Sequence, residues 1–425
     1  MRKLLFLSVL LFMTFVWGIL DANHRMICSD TNDKEDSERR IRVLIKNDDY
    51  ESEYHSQICL YSDKDYVMKN SFSEEIYRGG EQSMVNAQSA LFAQGDKITV
   101  TSRGGVFYFP DLVRAESGIA YEGEIEIWKT DKGLLLVNEL PLESYLCGVL
   151  PGEMSAAFPM EALKAQAVCA RTYALQQAMS GRAEEYHADL DDSTSYQVYN
   201  NRLHSEKTDQ AVKDTAGIVI IKDGTYADAR YYSTSCGLDL HMDLSEDTVF
   251  AAFIQEDQWK AAESQEPFFR WKTYVEMKKF EGKDGWDVIK QIQIKERNDQ
   301  GCVIRLEVTG QKQGCEQTEE IKGEYEIRRW LALADPQIML QDKSTREGWQ
   351  LLPSAFFYMQ PVLEEENLTG YEIYGGGYGH GEGMSQNGAK NMANRGENWE
   401  NILKNYYGEI EICRYFSTGE CTIAQ

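Results

Sequence analysis

Between Pro159 and Gly181 the chain carries no glycine and no further proline, and Leu163, Ala167, Ala170, Ala174 and Ala178 recur at helical spacing. That period puts all of them on one face of an α-helix. Pro159 suits the first turn, where its missing N–H costs nothing, and Gly181 suits the stop. Because the face is mostly alanine, the helix can pack close to another backbone. Upstream the period falls to two. Ile41, Val43 and Ile45 share one face, Ile58 and Leu60 open a second run, and strand-like segments follow at 98–101, 105–109, 124–128 and 134–137. Glycine-rich or charged turns separate them. Residues 41–137 therefore read as a strand-rich N-terminal part, with the pattern changing after Pro141. Further helices are expected at 205–216, at 325–334 and at 385–395 carried on toward 399–407, with strands at 303–308 and 372–374. The expected class is α+β, and no internal repeat is visible.

A length of 425 residues permits one large or two medium domains. Lys and Arg number 44 against 69 Asp and Glu, a formal charge of −25. Such a chain is a poor candidate for neutralising phosphates, so nucleic acid is not expected as a partner. The one strongly apolar stretch, residues 4–20, comes directly after Arg2 and Lys3 and is free of charge. At about 1.5 Å per residue it spans about 25 Å, just short of a ~30 Å hydrocarbon core. The basic pair argues for a cytoplasmic N-terminus and export of the chain beyond the apolar stretch. Residues 18–23 lack a small-residue cleavage pattern, so 1–27 read as an uncleaved membrane anchor, with a secreted product as the alternative. Residues 28–40, rich in Asp, Glu, Ser, Asn and Lys, read as an acidic linker. The 9 cysteines include no C-x-x-C. Cys302/Cys315 and Cys413/Cys421 are the plausible local pairs, and free thiols serving as small apolar residues are the default.

Three segments combine polar, glycine and small residues beyond what packing requires. In the first, Glu153 follows Pro151-Gly152 and precedes Met154, Ala156, Ala157 and Phe158 just ahead of the alanine helix. It reads as a glutamate on a turn: either a solvated one, or a carboxyl in an apolar cleft whose raised pKa suits a general acid. The second, Tyr231-Tyr232-Ser233-Thr234-Ser235-Cys236-Gly237, is either a sugar-binding hydroxyl run or a plain strand end. The third, residues 374–389, holds Gly375, Gly376, Gly377, Gly379, Gly381 and Gly383 around His380, which permits close backbone approach to a ligand. It fits neither a phosphate-binding G-x-G-x-x-G nor a nucleophile elbow at Ser385.

Together these segments resemble the stage II sporulation protein D family, the SpoIID/LytB domain family of cell-wall enzymes. The stretch LPLESYLCGVLPGEMSAAFPMEALKAQAVCARTYAL resembles its most distinctive motif, YYSTSCG its serine-rich strand, and GGGYGHGEGMSQNGAKNMANRGENWENILKNYY its closing signature. The similarity runs from about residue 41 to 413, with the motifs in family order.

The resemblance implies that residues 138–425 form a catalytic region with a substrate cleft. It implies a lytic transglycosylase, in which one glutamate, here Glu153, protonates the glycosidic oxygen between N-acetylmuramic acid and N-acetylglucosamine. The muramyl C6 hydroxyl then closes a 1,6-anhydro ring. A nucleophile within the substrate removes the need for a second carboxylate. Further candidates are carried over by position. Lys164 and Arg171, seven apart on one helix face, would meet anionic groups of the glycan, or else be ordinary solvated cations. Gln166 and Tyr173 would touch substrate or hold the glutamate loop, and Gln197, Ser233, Ser235, His380, Ser385 and Gln386 would complete the cleft. Some family members bind zinc just upstream of a Gln-x-Tyr. Here Leu190, Ser195 and Tyr196 replace the ligands and His187 alone does not make a site, so no metal and no cofactor are expected. Asn387 and Asn405 stand where the family often has Tyr and His. The implied partners are peptidoglycan glycan strands, the membrane through the N-terminal helix, and a wall amidase with other wall-remodelling proteins. The implied setting is the cell membrane, facing outward, in wall remodelling during engulfment and sporulation. The alternative is a non-catalytic wall-binding amidase enhancer.

Overall fold

A computed structural model describes residues 39–47, 50–114, 119–199, 204–237, 243–255, 263–415 and 421–423. The expected anchor and nearly all of the linker lie outside the described residues. No helix among those described is long and apolar enough to cross a membrane. The described residues divide into two compact units: those within 39–157, 170–219 and 412–423 form the first, and those within 158–169 and 220–411 the second. Each mixes helices with several sheets, so the class is α+β.

In the first unit the strands are β1 (Arg40–Leu44), β2 (Gln57–Ser62), β3 (Tyr66–Lys69), β4 (Glu74–Tyr77), β5 (Ser83–Asn86), β6 (Lys97–Ser102), β7 (Phe107–Tyr108), β8 (Glu124–Thr130), β9 (Gly133–Pro141) and β10 (Leu190–Asp191). A seven-stranded sheet runs β10-β1-β9-β8-β6-β3-β4, and a smaller one runs β5-β2-β7. The alternation read from sequence is the burial pattern: Ile41 and Val43 on β1, Ile58 and Leu60 on β2, and Ile98 and Val100 on β6 all point inward. Residue 137, where the sequence reading ends the strand-rich part, lies within β9. The short β10 pairs in parallel with β1, Val43 opposite Leu190. That pairing brings the segment after residue 190 alongside the sheet.

Directly after β9 comes α1 (Leu142–Glu153), which the sequence reading does not anticipate. Leu142, Tyr145, Leu146, Val149 and Leu150 form its buried stripe. Pro151 lies inside the helix rather than on a turn. Lacking an N–H, it cannot bond back to the Cys147 carbonyl, which is tolerable because only Gly152 and Glu153 follow. Glu153 is therefore the last helical residue, and Met154 caps the end with extended dihedrals. Next, α2 (Met160–Ser180) is the alanine helix; Gly181 stops it in the left-handed region at φ 67°. The Ser205 hydroxyl caps α3 (Glu206–Asp214), which packs on α1.

The second unit has a five-stranded antiparallel sheet in the order 345–346, 338–340, 271–276, 367–375, 357–364, and a three-stranded one from 288–297, 303–312 and 315–322. Its core gathers Trp271, Val275, Phe280, Trp286, Leu306, Trp330, Phe357 and Ile373. Phe280 and Trp330 stack at 4.5 Å between ring centroids. Its helices are α4 (Asp247–Gln255), α5 (Glu324–Ala332), α6 (Gln386–Asn394) and α7 (Trp399–Tyr407). The expected continuation from 385–395 into 399–407 is broken: Gly396 takes φ 93° and Asn398 caps a new helix. Cys302 is buried and Cys315 exposed, and both are free thiols, the default reading, so the plausible pair between them is not formed.

Candidate functional site

Glu153 is partly exposed at the end of α1, and its Oε1 accepts the Val198 N–H at 2.9 Å. The residues flanking Val198 are fixed as well. Gln197 is buried, accepting the Tyr145 hydroxyl at 3.0 Å and donating to the Ala170 carbonyl at 3.2 Å. Tyr199 is buried and donates to Asn138 Oδ1 at 2.8 Å. Burial holds the Tyr145 phenol well above its usual value, and the Glu153 charge adds to that. The candidate acid is thus oriented by the 197–199 segment, where a backbone amide meets a carboxyl oxygen with good geometry.

That segment is anchored in turn by Asp192. Its Oδ1 accepts the Lys46 N–H at 3.0 Å, and its Oδ2 pairs with Arg114 Nη2 at 2.7 Å, with both side chains at most 1% exposed. Burial outweighs the arginine and pushes the Asp192 carboxyl up to about 6. Sequence reasoning passed over Arg114 and Asp192, because their separation of 78 positions forms no motif.

On α2 the two candidate cations meet different surroundings. Lys164 is 20% exposed and pairs with Glu161 at 3.3 Å. Arg171 is fully enclosed: Nε and Nη2 grip both Glu143 oxygens at 2.8 and 2.6 Å, and Nη1 donates to the Ile218 carbonyl at 3.1 Å. Its fork is spent on fastening α2 to α1. Gln166 is also fully buried, and its amide makes no hydrogen bond among the described residues. Tyr173 is partly buried and lies near Tyr145.

In the second unit the serine strand and the closing signature come together. Tyr231 and Tyr232 pair in parallel with Met384 and Ser385. The carboxyl joining them is one the sequence did not single out, Glu263. Its Oε2 accepts the Ser235 N–H at 2.7 Å and the Ser385 hydroxyl at 2.8 Å. The Ser385 hydroxyl also accepts the Gly388 N–H at 3.2 Å as the cap of α6. A Cβ on Gly388 would sit 1.8 Å from the Tyr406 hydroxyl and 2.6 Å from Glu263 Oε1, so only glycine fits. Glu263 is 5% exposed, and burial pushes its carboxyl up to about 7 against the pull of both hydrogen bonds. Nothing in the surrounding sequence marks it, since its partners lie 28 and 122 positions away.

Ser235 Oγ accepts the Gly237 N–H at 3.0 Å, and the Ser233 hydroxyl lies 3.3 Å from that of Thr234. Asn387 donates from Nδ2 to Thr234 Oγ1 at 3.0 Å and from its backbone to the Ser233 carbonyl, so it binds the strand to α6. His380 uses both ring nitrogens on backbone: Nε2 lies 3.0 Å from the Tyr231 carbonyl, and Nδ1 accepts the Glu382 N–H at 3.1 Å. The ring is therefore a neutral tautomer with the proton on Nε2, and burial lowers its pKa. Gln386 is partly exposed in the first turn of α6. The structure thus joins Ser235 and Ser385 through Glu263, and Glu153, Tyr145 and Gln197 in a separate cluster.

Two family models match adjoining stretches of the chain. The SpoIID domain, described as stage II sporulation protein, matches residues 130–221, which hold α1, α2 and Glu153. A domain of unknown function, DUF8618, matches 218–383. An uncharacterized protein of Brachyspira hyodysenteriae is 30% identical over 348 residues, 81% of this chain and 85% of its own length. The stage II sporulation protein D of Bacillus subtilis is 26% identical over 77% of this chain and 88% of its own. The amidase enhancer of the same organism is 28% identical over 64% of this chain but only 40% of its own length.

Proposed function

The chain belongs to the SpoIID family of stage II sporulation proteins, and from that premise we propose that it is a peptidoglycan lytic transglycosylase with Glu153 as its acid and base. The observation that carries this reading is the Glu153 carboxyl, oriented by Val198 at a partly exposed helix end. In the first step the protonated carboxyl gives its proton to the glycosidic oxygen as the bond to the muramyl anomeric carbon breaks. The resulting carboxylate then takes the proton of the muramyl C6 hydroxyl, whose oxygen bonds to that carbon. A 1,6-anhydro end forms, Glu153 is reprotonated, and no water is consumed. A single carboxyl suffices because each step returns it to the state the other needs.

Under this reading the two units act outside the membrane, with residues 1–27 as the anchor, in septal wall remodelling during sporulation. The test is digestion of purified glycan strands by the purified protein. 1,6-Anhydro ends are expected from the native chain; their absence, or equal yield from Glu153→Gln, overturns it. The amidase enhancer relative supports a second reading, a non-catalytic wall-binding stimulator. Wall binding without glycan cleavage, with stimulation of an added amidase that survives Glu153→Gln, would establish that one instead.

A further inference from the structure

The outer face of the five-stranded sheet in the second unit carries a cavity of about 740 Å³, within the usual range for ligand sites. Its floor is one row of the sheet, in which Met339, Lys272, Tyr374 and Tyr358 lie opposite one another across four strands. Side chains alternate along a strand, so Trp271 and Ile373 are buried in the core while Lys272 is exposed; Tyr374 is partly exposed and packs at the margin of the core beside Tyr358, which is 7% exposed. The walls are the end of α4 and the turn at 341–343. Gln255 Nε2 donates to the Tyr358 hydroxyl at 2.9 Å, and Gln341 Nε2 to the Ser264 carbonyl at 2.6 Å. Those amides are set in place before any ligand arrives.

The charge of the lining runs against that of the chain. Acidic residues outnumber basic ones 69 to 44 overall, yet Arg270, Lys272 and Lys343 line the cavity and, among the described residues, no Asp or Glu does. Among the described residues, two neighbouring acids, Glu372 and Asp342, are engaged locally. Glu372 accepts the Tyr374 hydroxyl at 2.6 Å, and Asp342 accepts the Ser344 N–H and hydroxyl at 2.9 and 2.5 Å. Gln255, Gln265, Gln341 and Gln360 supply amides, each able to donate and accept. Tyr358 and Tyr374 stack on each other at 5.1 Å and 8°, so the recognition on offer is amide and ammonium rather than an aromatic platform.

We infer that this cavity binds a segment of carboxylated, N-acetylated glycan, its carboxylate against Lys272 and Lys343 and its hydroxyls and acetamides against the glutamine amides. A peptide would look for backbone pairing at a sheet edge, whereas this cavity offers side-chain amides over a sheet face. The cavity stands on its own geometry; only the identity of the glycan as a wall strand rests on the reading of Glu153. In an acidic protein such a site supplies the attraction for an anionic polymer that the net charge denies.

The test uses the full-length protein carrying Glu153→Gln, so that the probe is not consumed, titrated calorimetrically with a tetrasaccharide of alternating N-acetylglucosamine and N-acetylmuramic acid. The N-acetylglucosamine tetrasaccharide, which lacks carboxylates, is the comparison. Adding Lys272→Glu and Lys343→Glu should weaken the muramyl probe at least about tenfold, and the neutral probe should bind at least about tenfold more weakly than the muramyl one. Both lysines are exposed, so an unchanged melting midpoint is expected, and Gln360→Ala offers a milder variant that should lose about threefold. Equal affinity in the lysine variant, or no preference between probes, overturns the inference. Lysine-dependent binding in a native chain that makes no 1,6-anhydro ends leaves this site standing and removes the cleavage reading.

Discussion

Two glutamates are held by backbone N–H groups, one in each unit, and they differ in what else surrounds them. Glu153 sits at a helix end, partly exposed, with its carboxyl aligned by Val198. Glu263 is 5% exposed, and a single oxygen takes both the Ser235 N–H and the Ser385 hydroxyl. A partly exposed carboxyl held at a fixed angle can meet a substrate. One that is buried and spent on the chain's own donors fastens the elements bearing those donors.

The sharpest way to break that comparison is Glu153→Gln. General acid–base catalysis contributes about 10²–10⁴-fold, so glycan cleavage should fall by that much while urea denaturation changes by less than about 1 kcal/mol. A large loss of stability with proportionate loss of activity would make Glu153 a fastener too. Next in size is Arg171→Ala. Removing one partner of a buried pair costs about 3–5 kcal/mol, and Arg171 is fully enclosed against Glu143. The urea midpoint should drop accordingly, and activity at temperatures where the variant stays folded should be nearly normal. If activity falls with stability intact, Arg171 is a substrate contact.

These residues show what the sequence could and could not carry. The alanine helix and the alternating strands of the first unit were legible because local period and burial agree there. α1 was not, because Pro151-Gly152 reads as a turn until the helix is seen to tolerate proline in its last residues. The strand at 315–322 was hidden for another reason: CEQTEEIK has no buried residue, and its place is set by pairing with 303–312. The motif around Glu153 stood out because its parts are contiguous. Glu263, Arg114 and Asp192 did not, since their partners come from distant segments. Lys164 and Arg171 mark the limit most simply. Their spacing correctly puts them on one helix face, but spacing says nothing about what that face meets at each turn.

Glu263 makes a prediction in pH. Burial raises its carboxyl from 4.5 to about 7, with Glu266 adding to the rise and Lys390 opposing it. Tyr232 and Tyr406, which also face it, stay neutral throughout. A raised folded-state value means that the folded chain keeps the proton where the unfolded chain has lost it. The contribution to stability is therefore fully present below pH 4.5, is lost as pH rises toward about 7, and is flat above that. It amounts to about 3 kcal/mol. Urea midpoints measured from pH 4.5 to 8 should show this fall in the native chain and a flatter profile in Glu263→Gln. A profile unchanged by the substitution would mean that Glu263 does not titrate there. Ser385→Ala removes one of its donors and the cap of α6, and should cost about 1–2 kcal/mol. Ser235→Ala, which keeps the backbone N–H that Glu263 uses, should cost less.

The smallest expected effect bears most directly on substrate. Lys164 pairs with Glu161 across one helical turn, with the two side chains 20% and 33% exposed. Such a pair is worth about 0.2–0.5 kcal/mol and is screened by salt. Lys164→Ala should therefore leave the urea midpoint almost unmoved. If its ammonium meets an anionic group of the glycan, KM should rise severalfold at low salt with kcat little changed, and the difference should shrink as ionic strength rises. If KM stays put at every ionic strength, Lys164 is not a glycan contact but part of the helix surface, where its partner Glu161 also accepts the Trp399 N–H at the start of α7. That outcome would leave both cations of the helix face as parts of the scaffold. The recognition of negative charge would then have to come from residues outside α2.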